Sequence, residues 1–202
     1  MMEAEKKGYV LPPNFKTKWI SYQTNEAKKW RFDGSYHNDL AQAYRLYSLA
    51  LAGSADMGSM NRLRETSSIS GESKLRLAAA YALAGQKKAA LELINASGSS
   101  VTNNYYNYYY GSEERNKAMK LETYLLVGDL TKAFPLATSL AKDLSSERYM
   151  STQTTAYGLY AMSKFAQKNG GKGISVAYTF GGKTNTITTT KAIADRKLVV
   201  SS

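Results

Sequence analysis

The chain has 202 residues, 43% hydrophobic and 21% charged, enough for one sizeable core or one domain with a smaller appendage. It contains no cysteine and one histidine, His37, which excludes disulfides, thiolate metal sites, cysteine nucleophiles and an imidazole cluster for a transition metal. The net charge of +11 permits an acidic partner, but the basic residues are scattered, with KK pairs at 6–7, 28–29 and 87–88 and no recognition motif, so nucleic acid is not expected.

The leading residues MMEAEKKGYVLPP carry charge without the apolar stretch of a secretory signal. No later window approaches the ~20 continuous apolar residues that a membrane span requires. Pro12-Pro13-Asn14 then punctuates the entry to a first helix containing Phe15, Trp19 and Tyr22. Leu40–Ala52 and Leu75–Ala84 are apolar on nearly all sides, the pattern of helices covered on more than one face, and Ala156–Ala166 reads the same way. Between Ser97 and Ser112 the run SGSSVTNNYYNYYYGS has no helical period and predicts a loop. Leu130, Ala133, Phe134, Ala137, Leu140, Ala141 and Leu144 instead follow the spacing of a surface helix with one buried stripe. Asp129 is placed to cap that helix, and Pro135 lies too far inside it for a first-turn proline, which predicts a kink or a later start near Phe134.

The two kinds of helix alternate, and Gly53, Gly85 and Gly128 close broad helices at the spacing of a helix-hairpin repeat. The expected architecture is therefore mainly α and two-layered, with buried inner and one-striped outer helices. Periodicity is equally compatible with a curved solenoid and with part of a closed α/α barrel. After Asn169 the period changes from helical to two-residue: Ile174, Val176, Tyr178 and Phe180 alternate with Ser175, Ala177 and Thr179, predicting a strand with one buried face. Gly181-Gly182 supplies a turn into the β-branched run Thr184–Ile193. A lone hairpin is marginal in water, so this one packs on the helices or belongs to a further β domain. The boundary falls between residues 1–170, helical, and 171–202, the hairpin.

Candidate chemistry is sparse. Glu113-Glu114 fits the acidic first turn of a helix better than a catalytic carboxylate pair, since adjacent helical residues point in different directions. Gly170-Gly171-Lys172-Gly173 lacks the spacing of a phosphate loop and precedes a strand rather than a helix. His37 has no histidine partner and reads as a loop or capping residue. Tyr105, Tyr106, Tyr108, Tyr109 and Tyr110 form the most unusual local composition; such a cluster either packs over the end of the helical array or, exposed, contacts a partner. Ser151, Thr152 and Gln153 open STQTTAYGLYAMSKFA and suit the capped start of a helix, with no GxSxG turn around the serine and no neighbouring base. No catalytic residue, metal or cofactor is expected from these residues.

Three segments, AYRLYSLALAGSADMGSMNRLRE, ESKLRLAAAYALAGQKKAALELI and STQTTAYGLYAMSKFA, together resemble the thioester-domain region of bacterial α2-macroglobulin-like proteins, particularly the long form of Bacteroidetes-type bacteria. The resemblance spans roughly residues 14 to 200, and the Ser-Thr-Gln-Thr-Thr-Ala-Tyr helix carries most of it. It implies an α/α toroid, here partial, and an endopeptidase inhibitor that traps proteases after a bait region is cut. It further implies a periplasmic or cell-surface location, proteases as partners of the full-length protein, and neighbouring β domains of which the hairpin is the start. The family's thioester sequence is Cys-x-Glu-Gln, so no thioester residue can be placed in this cysteine-free chain, and Gln153 is not its glutamine. Either the motif lies upstream or this member traps without it. The reading is non-enzymatic and structural; a free helical-repeat scaffold binding a partner through its tyrosines is the alternative. An α/α-barrel glycan enzyme has a suitable architecture but lacks an acid–base pair.

Overall fold

The computed structural model describes residues 2–34, 38–98, 112–169 and 174–189. Its elements are α1 (Met2–Lys6), α2 (Phe15–Lys29), α3 (Asn38–Leu51), α4 (Met57–Glu65), α5 (Gly71–Leu83), α6 (Lys87–Ala96), α7 (Glu113–Val127), α8 (Leu130–Leu144), α9 (Thr152–Asn169), β1 (Ile174–Phe180) and β2 (Lys183–Thr189). Helices α3, α5, α7 and α9 pack side by side in that order as an inner layer, while α2, α4, α6 and α8 pack on them from outside. The protein is thus mainly α and two-layered, as its alternating helix types predict.

Local chemistry sets the boundaries. Gly53, Gly85 and Gly128 all have positive φ, the left-handed conformation that lets a helix end and turn back at no steric cost. Asp56, Ser70, Ser112 and Asp129 each accept a hydrogen bond from a first-turn N–H and so fix the starts of α4, α5, α7 and α8. Asp129 caps α8 as its sequence position predicts and puts the start at Leu130, so of the two alternatives at Pro135, a kink or a later start near Phe134, the later start is not adopted. Pro135 lies within the helix.

Helix α5 is the most enclosed: Leu75 through Ala82 are all buried, and the run Ala78-Ala79-Ala80 lets its neighbours approach closely. Leu46 and Leu49 of α3, Leu77 of α5 and Leu121 of α7 are fully buried between the layers. One backbone approach at the start of α5 is exceptionally close: a Cβ on Gly71 would lie 2.5 Å from the Ser97 carbonyl oxygen. Gly71→Ala is expected to destabilise by about 1–3 kcal/mol despite the better helix propensity of alanine, because backbone rather than a mobile side chain is in the way. Urea unfolding measures this, and an unchanged midpoint would mean that the segment at Ser97 moves aside freely.

Two expectations from pattern are corrected. Helix α9 buries only Thr154, Gly158 and Ala161 and leaves Leu159 58% exposed, because among the described helices only α7 and α8 pack extensively on it. Its apolar composition therefore does not report burial on more than one face. The hairpin forms as predicted, antiparallel with Ile174 opposite Thr189 and Phe180 opposite Lys183, around two positive-φ glycines. Among the described residues its apolar face is only partly covered: Val176 is 51% exposed, Tyr178 and Phe180 are half-buried, and neither strand packs extensively on a helix.

Candidate functional site

The inner helices run parallel, and their N-terminal ends are joined by short polar side chains. At the first pair, Asp39 of α3 accepts hydrogen bonds from the Ser70 backbone N–H at 2.6 Å and the Ser73 hydroxyl at 2.8 Å. Burial pushes the Asp39 carboxyl upward, but hydrogen bonds from the backbone of Ser70, the hydroxyls of Ser73 and Ser70 and the backbone of Leu40 outweigh it and hold its pKa below the ordinary value. A carboxyl depressed on folding stabilises above its unfolded pKa of about 3.9 and loses that contribution as pH falls through the folded value. The stability advantage of the wild type over Asp39→Asn is therefore expected to be full near neutrality and to shrink below about pH 4. Urea midpoints across that range test it; an advantage independent of pH would contradict it.

At the second pair, Ser151 caps α9 by accepting from the Thr154 N–H at 3.1 Å and donates its own proton to the Thr154 hydroxyl at 3.0 Å. The Thr154 and Ser112 hydroxyls share a hydrogen bond at 2.9 Å, which ties the start of α9 to the start of α7. The three residues singled out in the sequence thus stand together at a helix start: Ser151 as cap, Thr152 exposed, and Gln153 exposed with its side-chain oxygen 3.4 Å from Arg115. His37 and the tyrosines at 105, 106, 108, 109 and 110 lie outside the described residues, as do Gly170 to Gly173.

The most elaborate polar constellation lies deeper and was missed in the sequence. Arg76 of α5 is 1% exposed and donates to Glu122 of α7 at 3.1 Å. The other oxygen of Glu122 accepts from the Tyr47 hydroxyl of α3 at 2.5 Å. The guanidinium carbon lies 4.2 Å from the Tyr47 ring centroid, 5.2 Å from that of Tyr44 and 5.5 Å from that of Tyr157 on α9. The Nε and one terminal nitrogen of Arg76 have no hydrogen-bond acceptor, and these three rings supply their partner as π-faces. Tyr157 donates to the Tyr44 hydroxyl at 2.6 Å, so the first and last inner helices touch across the others and the row is curved.

Electrostatics follow from this enclosure. Burial alone would lower the pKa of Arg76, but the Glu122 carboxylate and the tyrosines raise it above its ordinary value. Burial pushes the Tyr47 hydroxyl up, reinforced by the charge of Glu122 and opposed by Arg76. Glu122 has both oxygens committed, to Arg76 and to Tyr47, so its chemistry is that of a counter-ion rather than of a base. One signal in the sequence does point here: Arg76 is the lone charge inside the otherwise apolar LRLAAAYALA. Glu122 also borders, with Leu51, Leu83, Leu125, Tyr160 and Lys168, a cavity of about 230 Å³ at the C-terminal ends of all four inner helices. Lys168 closes part of that end by donating to the Leu125 carbonyl. Among the described residues, no group of three or more histidine, cysteine or acidic side chains could hold a metal ion.

A curved row of parallel inner helices, backed by outer helices and joined through a buried arginine–carboxylate–tyrosine cluster, defines a two-layer α/α array. That architecture recurs in the crystal structure of native α2-macroglobulin from Escherichia coli spanning domain MG7 to the C-terminus, at 18% identity with a TM-score of 0.60 over 91% of this chain. The cryo-EM reconstruction of native E. coli α2-macroglobulin matches over the same share, at 20% identity and a TM-score of 0.61. The chain spans 30% and 12% of the lengths of these two structures. Its fold is α2-macroglobulin-like. No protein-family model and no curated protein matches the sequence.

Proposed function

We propose that the chain is a structural helical layer of a protease-trapping protein of the α2-macroglobulin type, acting as a rigid body rather than as a catalyst. The observation that carries this reading is the fold likeness over 91% of the chain. The Arg76–Glu122–Tyr47 cluster supports it, because its charges are spent on holding inner helices together. Without cysteine, these residues do not themselves form a Cys–Gln thioester; any covalent capture would draw on a Cys-x-Glu-Gln elsewhere in the protein. The proteases would be partners of the full-length protein, in the periplasm or at the surface of a Bacteroidetes-type cell. The partly exposed apolar face of the hairpin, where Val176 is 51% exposed, suits a connection to a following β domain.

Reading the gene on both sides of these codons tests the proposal. A frame that extends well beyond the 202 residues and encodes repeated β domains is expected. A frame confined to them would refute it.

A further inference from the structure

We propose that the joined N-termini of α7 and α9 form a binding site for a small oxyanion, with Arg115 at its base. Arg115 is 2% exposed, yet among the described residues no carboxylate lies within ion-pair distance of it and no aromatic ring lies beneath it. Its Nε has no hydrogen-bond acceptor, and its two terminal nitrogens have only long contacts, 3.4 Å to the Gln153 side-chain oxygen and 3.5 Å to that of Asn116. A guanidinium cannot shed its proton, so a buried one without a counter-charge is costly, and an anion relieves the cost. Arg76 marks the contrast, since a carboxylate and three tyrosine rings surround that equally buried cation.

The surroundings fit an anion in a second, independent way. Helices α7 and α9, of 15 and 18 residues, both begin here, and their starts are held together by the Ser112–Thr154 hydrogen bond. Ser112 and Ser151 occupy the N–H groups of Arg115, Asn116, Thr154 and Thr155. The N–H groups of Thr152 and Gln153 donate to no acceptor among the described residues and sit at the positive end of the α9 dipole. Of the acidic residues in the first turn of α7, Glu114 is engaged by Arg148, and Glu113 lines a separate cleft with Lys117 and Lys120. The stretch from Ser97 to Gly111, which leads into α7, contains no Asp or Glu to serve as counter-ion.

The exposed Gln153 amide places its oxygen where an oxyanion would sit, so the site opens to solvent when that side chain swings out. A carboxylate, sulfate or phosphate would take a forked pair of guanidinium N–H bonds on one side and the Thr152 and Gln153 N–H groups on the other. A free inorganic anion and an acidic protein side chain share this chemistry.

Thermal unfolding of the 202-residue chain in sulfate, phosphate or acetate, against chloride at matched ionic strength, tests the site. Sulfate and phosphate represent a free inorganic anion, and acetate represents a carboxylate side chain. The wild type is expected to gain about 3–5 °C in Tm for each tenfold of anion above its Kd. Sulfate and phosphate also stabilise proteins by exclusion from their surfaces, so the decisive quantity is the difference between the wild type and Arg115→Gln, which should keep only that general response. Gln153→Glu, which supplies the missing carboxylate within the chain, should raise Tm without added anion and flatten the anion dependence. It also decides the matter should Arg115→Gln fail to fold, as does movement of the Arg115 Nε–H resonance of the wild type at saturating anion. Equal responses from wild type and Gln153→Glu, or an Arg115 resonance that does not move, would overturn the proposal. The anion with the lowest Kd identifies the source, acetate for a protein side chain and sulfate or phosphate for a free ion.

Discussion

Glu122→Ala is expected to destabilise the fold by about 3–5 kcal/mol, because it strips the counter-charge from a guanidinium that is only 1% exposed. The same substitution takes the acceptor from the buried Tyr47 hydroxyl, so two groups lose their partner at once. The effect is a penalty for leaving Arg76 unpaired rather than a measure of what the pair contributes. Removing both charges together, as Arg76→Met with Glu122→Leu, is therefore expected to restore the part of the loss owed to Arg76, since apolar residues of similar volume often replace a buried ion pair at little cost, and to leave the part owed to the Tyr47 hydroxyl. Chemical denaturation of the two single variants and the double variant measures the coupling. A double variant as unstable as the sum of the singles would mean that the pair acts only through packing.

Leu140→Ala on α8 is expected to cost about 2–5 kcal/mol, while Leu130→Ala on the same helix should cost well under about 1 kcal/mol. The two leucines belong to one apolar stripe in the sequence, but Leu140 is fully buried and Leu130 is 42% exposed. The buried stripe narrows to Ala133, Ala137 and Leu140, the side that faces the inner layer. Phe134 lies outside it and meets Phe165 of α9 edge-on, with ring centroids 5.2 Å apart. Equal losses from the two leucine variants, read from denaturant midpoints, would contradict the packing of α8 described here.

These cases show which parts of the fold were legible. Helix ends were, because Gly53, Gly85, Gly128 and Asp129 act through their own backbone or their nearest neighbours. The alternation of inner and outer helices was, because the apolar content of Leu40–Ala52 and Leu75–Ala84 differs from a single stripe. Exposure of Leu159 was not, since periodicity records which residues could be covered and not which neighbour covers them. The same limit applies to Val176 on the hairpin. Long-range pairing was least legible of all: Arg76, Glu122, Tyr157 and the Tyr44–Tyr47 pair come from four helices, and no local spacing relates one helix's members to another's. Ser151 was readable as a cap, but the buried Arg115 beside Gln153 was not, because its burial depends on how α7 meets α9.

The proposed role turns on whether the protein that contains this helical layer traps proteases. The most direct measurement expresses the complete reading frame, incubates it with an endopeptidase, and compares cleavage of a large protein substrate with that of a short chromogenic peptide. A trap is predicted to protect the large substrate while the short peptide is still cleaved, because the enclosed protease keeps its active site but loses access to macromolecules. Undiminished cleavage of both substrates, with the full-length protein itself cut, would contradict the account.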